Sequence, residues 1–195
     1  CSSSLKVFAQ AARFIESGWC DAAVVGGVDS LCYTTLYGFQ SLQLLSPDRC
    51  RPCASDRNGI SIGEGAGFAL LDRRSPSAGE LVFRGYGESS DAHHMSSPDP
   101  DGAGAERAMT EALARANLGP EAIDYIAMHG TGTPANDGVE DLAIHRVFGT
   151  RPPASSTKGW TGHALGAAGI MNAAIAIAGL RAGFAPGTLN TTTLD

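Results

Sequence analysis

Apolar residues recur at helical spacing through the first eighteen positions, at Leu5, Phe8, Ala9, Ala12 and Ile15. That spacing predicts a helix from Ser2 to Gly18, with Ser2, Ser3 and Ser4 as capping residues and Gly18 as its stop. The run Ala22-Ala-Val-Val then reads as a short buried strand entering the glycine turn Gly26-Gly27. From Tyr37 to Cys53 no period emerges, and irregular backbone is expected. Gly63 to Leu71 is glycine-rich backbone leading into a strand over 68–71.

Ser75-Pro-Ser-Ala-Gly is the best candidate for a junction. Beyond it the pattern predicts a strand over 81–86, a polar segment over 89–104 and a helix over 105–117. A second buried strand, Ile123 to Met128, ends at His129. Helix is expected again over 136–148, a brief strand over 154–156, and a long buried helix from His163 to Ala182. Strands alternating with helices indicate an α/β fold with largely parallel sheets.

Composition narrows the function. The 195 residues allow one or two domains with a real core, and glycine is in excess at 25 copies. The net charge of −6 comes without a lysine- or arginine-rich run, which argues against nucleic acid as a partner. No segment reads as apolar for long enough to span a membrane, and no segment reads as a signal peptide. Five cysteines, at 1, 20, 32, 50 and 53, are odd in number and irregular in spacing. A disulfide framework is not expected, and a reduced, cytoplasmic setting is.

Three places combine reactive side chains with glycine at a helix mouth or strand end. Cys1-Ser-Ser-Ser-Leu-Lys sets a cysteine at a helix N-terminus, where the dipole favours the thiolate, a suitable nucleophile for thioesters. Taken alone it weighs less than an inconsequential cysteine. His129-Gly-Thr-Gly-Thr-Pro follows a strand, so His129 projects from the carboxyl end, where ligands sit in open α/β sheets. Lys158-Gly-Trp-Thr-Gly-His163-Ala-Leu-Gly-Ala-Ala-Gly frames a lysine and a histidine around a helix start.

These three motifs, in this order, with Asp137 and Glu140 after the second, resemble the β-ketoacyl-acyl-carrier-protein synthases, condensing enzymes of the thiolase-like superfamily. The likeness is to the bacterial elongating type and its polyketide relatives, and it runs over essentially the whole chain. Arg51-Pro-Cys-Ala-Ser-Asp-Arg-Asn-Gly and Gly63-Glu-Gly-Ala-Gly share it. The resemblance implies a thiolase-like fold, layered α-β-α-β-α, present here only in part. Residues 1–74 would close its N-terminal half and residues 80–195 would make most of its C-terminal half.

It also implies roles. Cys1, His129 and His163 match the catalytic constellation, Lys158 the active-site lysine and Glu140 the supporting buried carboxylate. Thr131 and Thr133 match the hydroxyls that hold phosphopantetheine. The implied reaction is decarboxylative condensation of malonyl-carrier protein with an acyl chain on Cys1. No cofactor and no metal are implied; the substrates ride on acyl carrier protein. A homodimer, or a heterodimer with a related subunit, is implied for the full length.

The family's catalytic unit is about twice this length. The chain is therefore expected to be a fragment lacking the upstream half and the C-terminal Gly-Phe-rich gating loop, and by itself inactive and poorly folded. Cys53 stands where the family has an aromatic residue; with Cys50 it forms a Cys-x-x-Cys, weak grounds for zinc or redox chemistry. His93-His94 reads as solvated, His145 as structural, and Phe39 as a tunnel-lining residue by guess. Gly63-Glu-Gly-Ala-Gly lacks the spacing of a dinucleotide fingerprint.

Rival readings fit less well. An N-terminal-nucleophile hydrolase leaves both histidine motifs without a task. A non-catalytic chain-length partner typically loses the cysteine, and a thiolase carries a second cysteine late in the chain. Acyl length and pathway, fatty acid or polyketide, are not legible.

Overall fold

The computed structural model describes residues 1–94 and 97–195. Part of the polar segment over 89–104, at 95–96, lies outside the described residues. Helix α1 spans Ser3–Glu16 and strand β1 Ala22–Asp29. Helix α2 covers Tyr33–Ser41 and strand β2 Gly65–Asp72. Helix α3 (Ala103–Ala116), strand β3 (Ile126–Ala127), helix α4 (Pro134–Phe148) and strand β4 (Ala154–Ser155) follow. The short helix α5 (Lys158–Thr161) leads through a single tight turn, Leu165–Ala167, into α6, Ala168–Ala182.

Strands β1 and β2 pair antiparallel, Val25 opposite Ala69 and Asp29 opposite Gly65. Parallel pairing was expected, but the chain leaves β1 at Asp29 and re-enters the sheet beside that same residue, which forces the reversal. Strands β3 and β4 are parallel, Ile126 opposite Ala154. One face of the β1–β2 pair packs on α1 and α6, where Ala164, Ala167 and Ile170 form a buried cluster with Phe8, Ala69 and Met171. Glycine permits the approach of these layers. A Cβ at Gly169 would stand 2.6 Å from Leu5 Cγ, and one at Gly67 2.9 Å from Ile170 Cγ1.

Several expectations change. Tyr37 to Cys53 is not wholly irregular, because α2 occupies 33–41, braced by the stacked rings of Tyr33 and Tyr37. Its glycine and threonines hide it from a propensity reading. The strand expected over 81–86 forms no ladder among the described residues. Its side chains pack sideways instead, Phe83 on Phe8 and Tyr86 under Arg115. Without a neighbouring strand to take its amides, an extended segment is no sheet.

The last helix begins at Ala168, not His163. His163 is committed to a bridge with Ile62, donating its N–H to Ser61 O at 2.7 Å and accepting from Gly63 N at 3.0 Å. The membrane reading also needs correction. Leu165–Ala182 has mean hydropathy 1.5 over 18 residues and is long and apolar enough to cross a bilayer by length and composition. It is also less buried than expected, since Leu180 is 70% exposed. Its buried residues are Ala168, Gly169 and Ile170 in the first turn and Gly179 near the end.

Helix α1 is capped differently from the expectation. Ser2 holds the cap position without a side-chain bond. Ser3 Oγ reaches Gly166 O at 3.5 Å, and Ser4 Oγ accepts from Ile170 N at 3.0 Å. The serines therefore tie α1 to the start of α6.

Candidate active site

The loop His129 to Thr133 leaves β3 and enters α4, and two carboxylates on one face of α4 hold its backbone. Glu140 accepts from His129 N at 2.6 Å and from Gly130 N at 2.7 Å. Asp137 accepts from Thr131 N at 2.8 Å and Gly132 N at 3.0 Å, and reaches across to Cys53 N at 2.9 Å. Four successive amides thus point at two anions, a nest that sets the loop's shape. Arg57, its side chain enclosed, donates to Thr133 O at 3.2 Å and Ala54 O at 2.9 Å, with Asp137 3.9 Å away.

This loop presents His129. The ring of His163 meets it edge-on, centroids 5.1 Å apart and planes at 85°. Burial drives both imidazoles toward the neutral form, with the ammonium of Lys158 adding to it. His129 lies well below its ordinary value, and His163 is lowered to about 3. His163 Nδ1 accepts from Leu165 N at 3.1 Å, so the neutral ring carries its proton on Nε2. It is 3% exposed.

Lys158 is buried, and its Nζ donates to the His129 carbonyl. Burial lowers the Lys158 ammonium, while Glu140 and Asp137 favour its charge. Glu140 is pushed up by burial, opposed by the Gly130 and His129 amides and by Lys158. Cys1 is exposed at the head of α1. Two further residues that the sequence motifs did not single out join these elements. Asp29, at the end of β1, accepts from Gly166 N at 2.8 Å, and Asn172 of α6 donates to Met128 O at 3.0 Å.

The two threonines separate. Thr131 is 6% exposed, its hydroxyl 2.9 Å from that of Thr133 and 3.4 Å from Asp137 Oδ1. Thr133 is half-buried. Cys50 is buried with its thiol on Thr131 O at 3.3 Å, and burial raises it. Cys53 is pushed up to about 12, so the Cys-x-x-Cys pair is held as thiols. Among the described residues no cluster of three or more His, Cys, Asp or Glu could hold a metal. His93 and His145 are exposed and stand apart from these contacts, and Phe39 is half-buried on α2.

A cysteine at a helix head, two imidazoles 5.1 Å apart that burial holds neutral, and a buried lysine are the reactive groups of this α/β structure. The family model described as β-ketoacyl synthase, N-terminal domain, matches residues 1–77, and that of the C-terminal domain matches residues 81–192. The chain belongs to the β-ketoacyl synthase family, and its fold is thiolase-like. It is 38% identical over 213 residues to the mitochondrial 3-oxoacyl-[acyl-carrier-protein] synthase of Arabidopsis thaliana, covering 100% of this chain and 46% of that protein. It is 37% identical to nodulation protein E of Rhizobium leguminosarum bv. trifolii, covering 97% and 49%.

A ketosynthase solved in complex with its chain length factor, from Xenorhabdus doucetiae, superimposes with TM-score 0.88 at 47% identity, over 93% of this chain and 45% of that one. A β-ketoacyl synthase from Burkholderia phymatum gives TM-score 0.92 at 32% identity, over 100% and 50%. The chain spans about half the length of the curated relatives it matches.

Proposed function

We propose that the protein is a β-ketoacyl synthase that condenses a malonyl thioester, with loss of carbon dioxide, onto an acyl chain held by Cys1. The observation that carries this is the pair of imidazoles 5.1 Å apart, both held toward the neutral form and one with its proton directed to Nε2. The Cys1 sulfur attacks the carrier's acyl thioester; the acyl–sulfur bond transfers, and the carrier thiol leaves with the proton. When the malonyl carboxylate departs as carbon dioxide, the electron pair of the broken bond becomes an enolate. His129 and His163 donate to the enolate oxygen, each worth about 3 kcal/mol when well placed. The enolate carbon then attacks the Cys1 thioester and expels the thiolate.

No strong base is needed, because decarboxylation supplies the carbanion. Two uncharged imidazoles suit that chemistry better than a poised carboxylate. Lys158 and Glu140 hold His129 by its own peptide. Thr133, with Thr131 behind it, offers hydroxyls to the phosphopantetheine arm, and no cofactor or metal is required. The partner is acyl carrier protein, the setting cytoplasmic, and the assembly a dimer. Pairing with a related subunit is favoured by the 47% likeness to a ketosynthase solved with its chain length factor. We read the break between the two halves in 75–79, a reading supported by family matches that end at residue 77 and resume at residue 81.

Intact mass of the complete reading frame after incubation with acyl-loaded carrier protein tests this. A gain equal to the acyl group, absent in Cys1→Ser, is expected. No gain in a folded wild type refutes the reading.

A further inference from the structure

The His129–Gly130 dipeptide has four backbone polar groups, and each is met by a side chain. Glu140, from α4, takes both amides. Both carbonyls are met from the opposite side, by the segment that opens α5: Lys158 Nζ on His129 O and Ser156 Oγ on Gly130 O, the latter at 2.6 Å. Ser156 is 0% exposed. Its hydroxyl also accepts from Lys158 N at 3.3 Å, and its own amide donates to Thr188 Oγ1 at 3.2 Å. Gly130 has φ of +39°, and a Cβ there would stand 2.8 Å from Ser156 Oγ. The two strands of this contact touch as closely as backbone allows.

Lys158 is long and rotatable, so it satisfies the His129 carbonyl without fixing a distance. Ser156 is short, enclosed and bonded on both sides, so it does fix one. The segment it belongs to continues through α5 to His163, whose backbone is locked to Ser61 and Gly63. The Ser156–Gly130 bond is therefore where the His129 loop is gauged against the segment that carries Lys158 and His163. We propose that Ser156 is a positioning residue, setting the separation of the two imidazoles so that both donate to one enolate oxygen. This rests on the synthase reading above.

The consequence is a split between steps. Acyl transfer to Cys1 occurs on α1 and does not need both imidazoles on one oxygen, whereas decarboxylation does. Ser156→Ala leaves the Gly130 carbonyl without its donor and lets His129 relax. A misplacement on the ångström scale costs about ten- to a hundredfold in rate. In the complete reading frame, Ser156→Ala is expected to acylate Cys1 within about twofold of wild type, while single-turnover release of carbon dioxide from malonyl-carrier protein falls by about that factor. Ser156→Cys, which keeps a weak donor, is expected to recover part of the loss; if Ser156→Ala does not fold, this variant carries the same test.

Unchanged decarboxylation in Ser156→Ala overturns the proposal. So does an equal fall in both steps that tracks the folded fraction, which marks a merely structural serine. A folded wild type that takes no acyl group removes the synthase reading and this proposal with it, whereas an active wild type beside an indifferent Ser156→Ala removes the proposal alone.

Discussion

Replacing Asp137 with asparagine keeps size and shape while changing two properties of a residue that is 2% exposed. Charge is lost, and one oxygen becomes a donor. Oδ1 accepts from Thr131 N at 2.8 Å, and Oδ2 from Cys53 N at 2.9 Å and Gly132 N at 3.0 Å. If the new amide takes the Oδ2 position, Cys53 N–H faces a donor; if it takes Oδ1, Thr131 N–H does. A buried donor without an acceptor costs about 1–3 kcal/mol, and the surviving bonds fall from charged to neutral strength. Arg57, 6% exposed at its side chain, also loses the carboxylate 3.9 Å from it. The sum is about 3–5 kcal/mol, a large share of the stability of an ordinary domain. Guanidinium melts of the complete reading frame, compared at constant slope, read this directly. A loss below about 0.5 kcal/mol in a native-like variant would refute the idea that this carboxylate shapes the loop.

Acid should act through the imidazoles. The unfolded chain takes up a proton at each histidine as pH falls through about 6.5, while folded His163 resists down to about 3. Its contribution is therefore intact above pH 6.5 and lost progressively below. Wild type should lose about 2 kcal/mol more than His163→Gln between pH 7 and pH 5, measured by melts at each pH. An equal or smaller loss in wild type than in the variant contradicts the burial argument. Gly132→Ala meets strain at φ of +82° and a Cβ 2.8 Å from both Cys50 Sγ and Gly59 O. It should cost about 1–3 kcal/mol by the same melts, and a neutral result would show that the loop yields.

The motifs around Cys1, His129 and His163 were legible because each is local: a few residues of fixed type beside glycine at a helix mouth or strand end. Asp137 and Glu140 were within reach too, since their spacing puts them on one face of α4. Helix positions held for α1, α3 and α4, and the apolar periods of α1 and α3 survive in the fold. Tertiary structure decided everything that depends on a partner distant in sequence. The segment 81–86 has strand composition and no strand to pair with, and β2 turns antiparallel only because of where the chain re-enters. His163 leaves the helix that its sequence suggests because Ser61 and Gly63 take its backbone. Hydroxyls such as Ser4 and Ser156 look like ordinary polar residues until burial forces their bonds onto Ile170 and Gly130. Sequence carries the chemistry of each group; the 5.1 Å approach of the two imidazoles exists only once loops far apart in the chain are packed together.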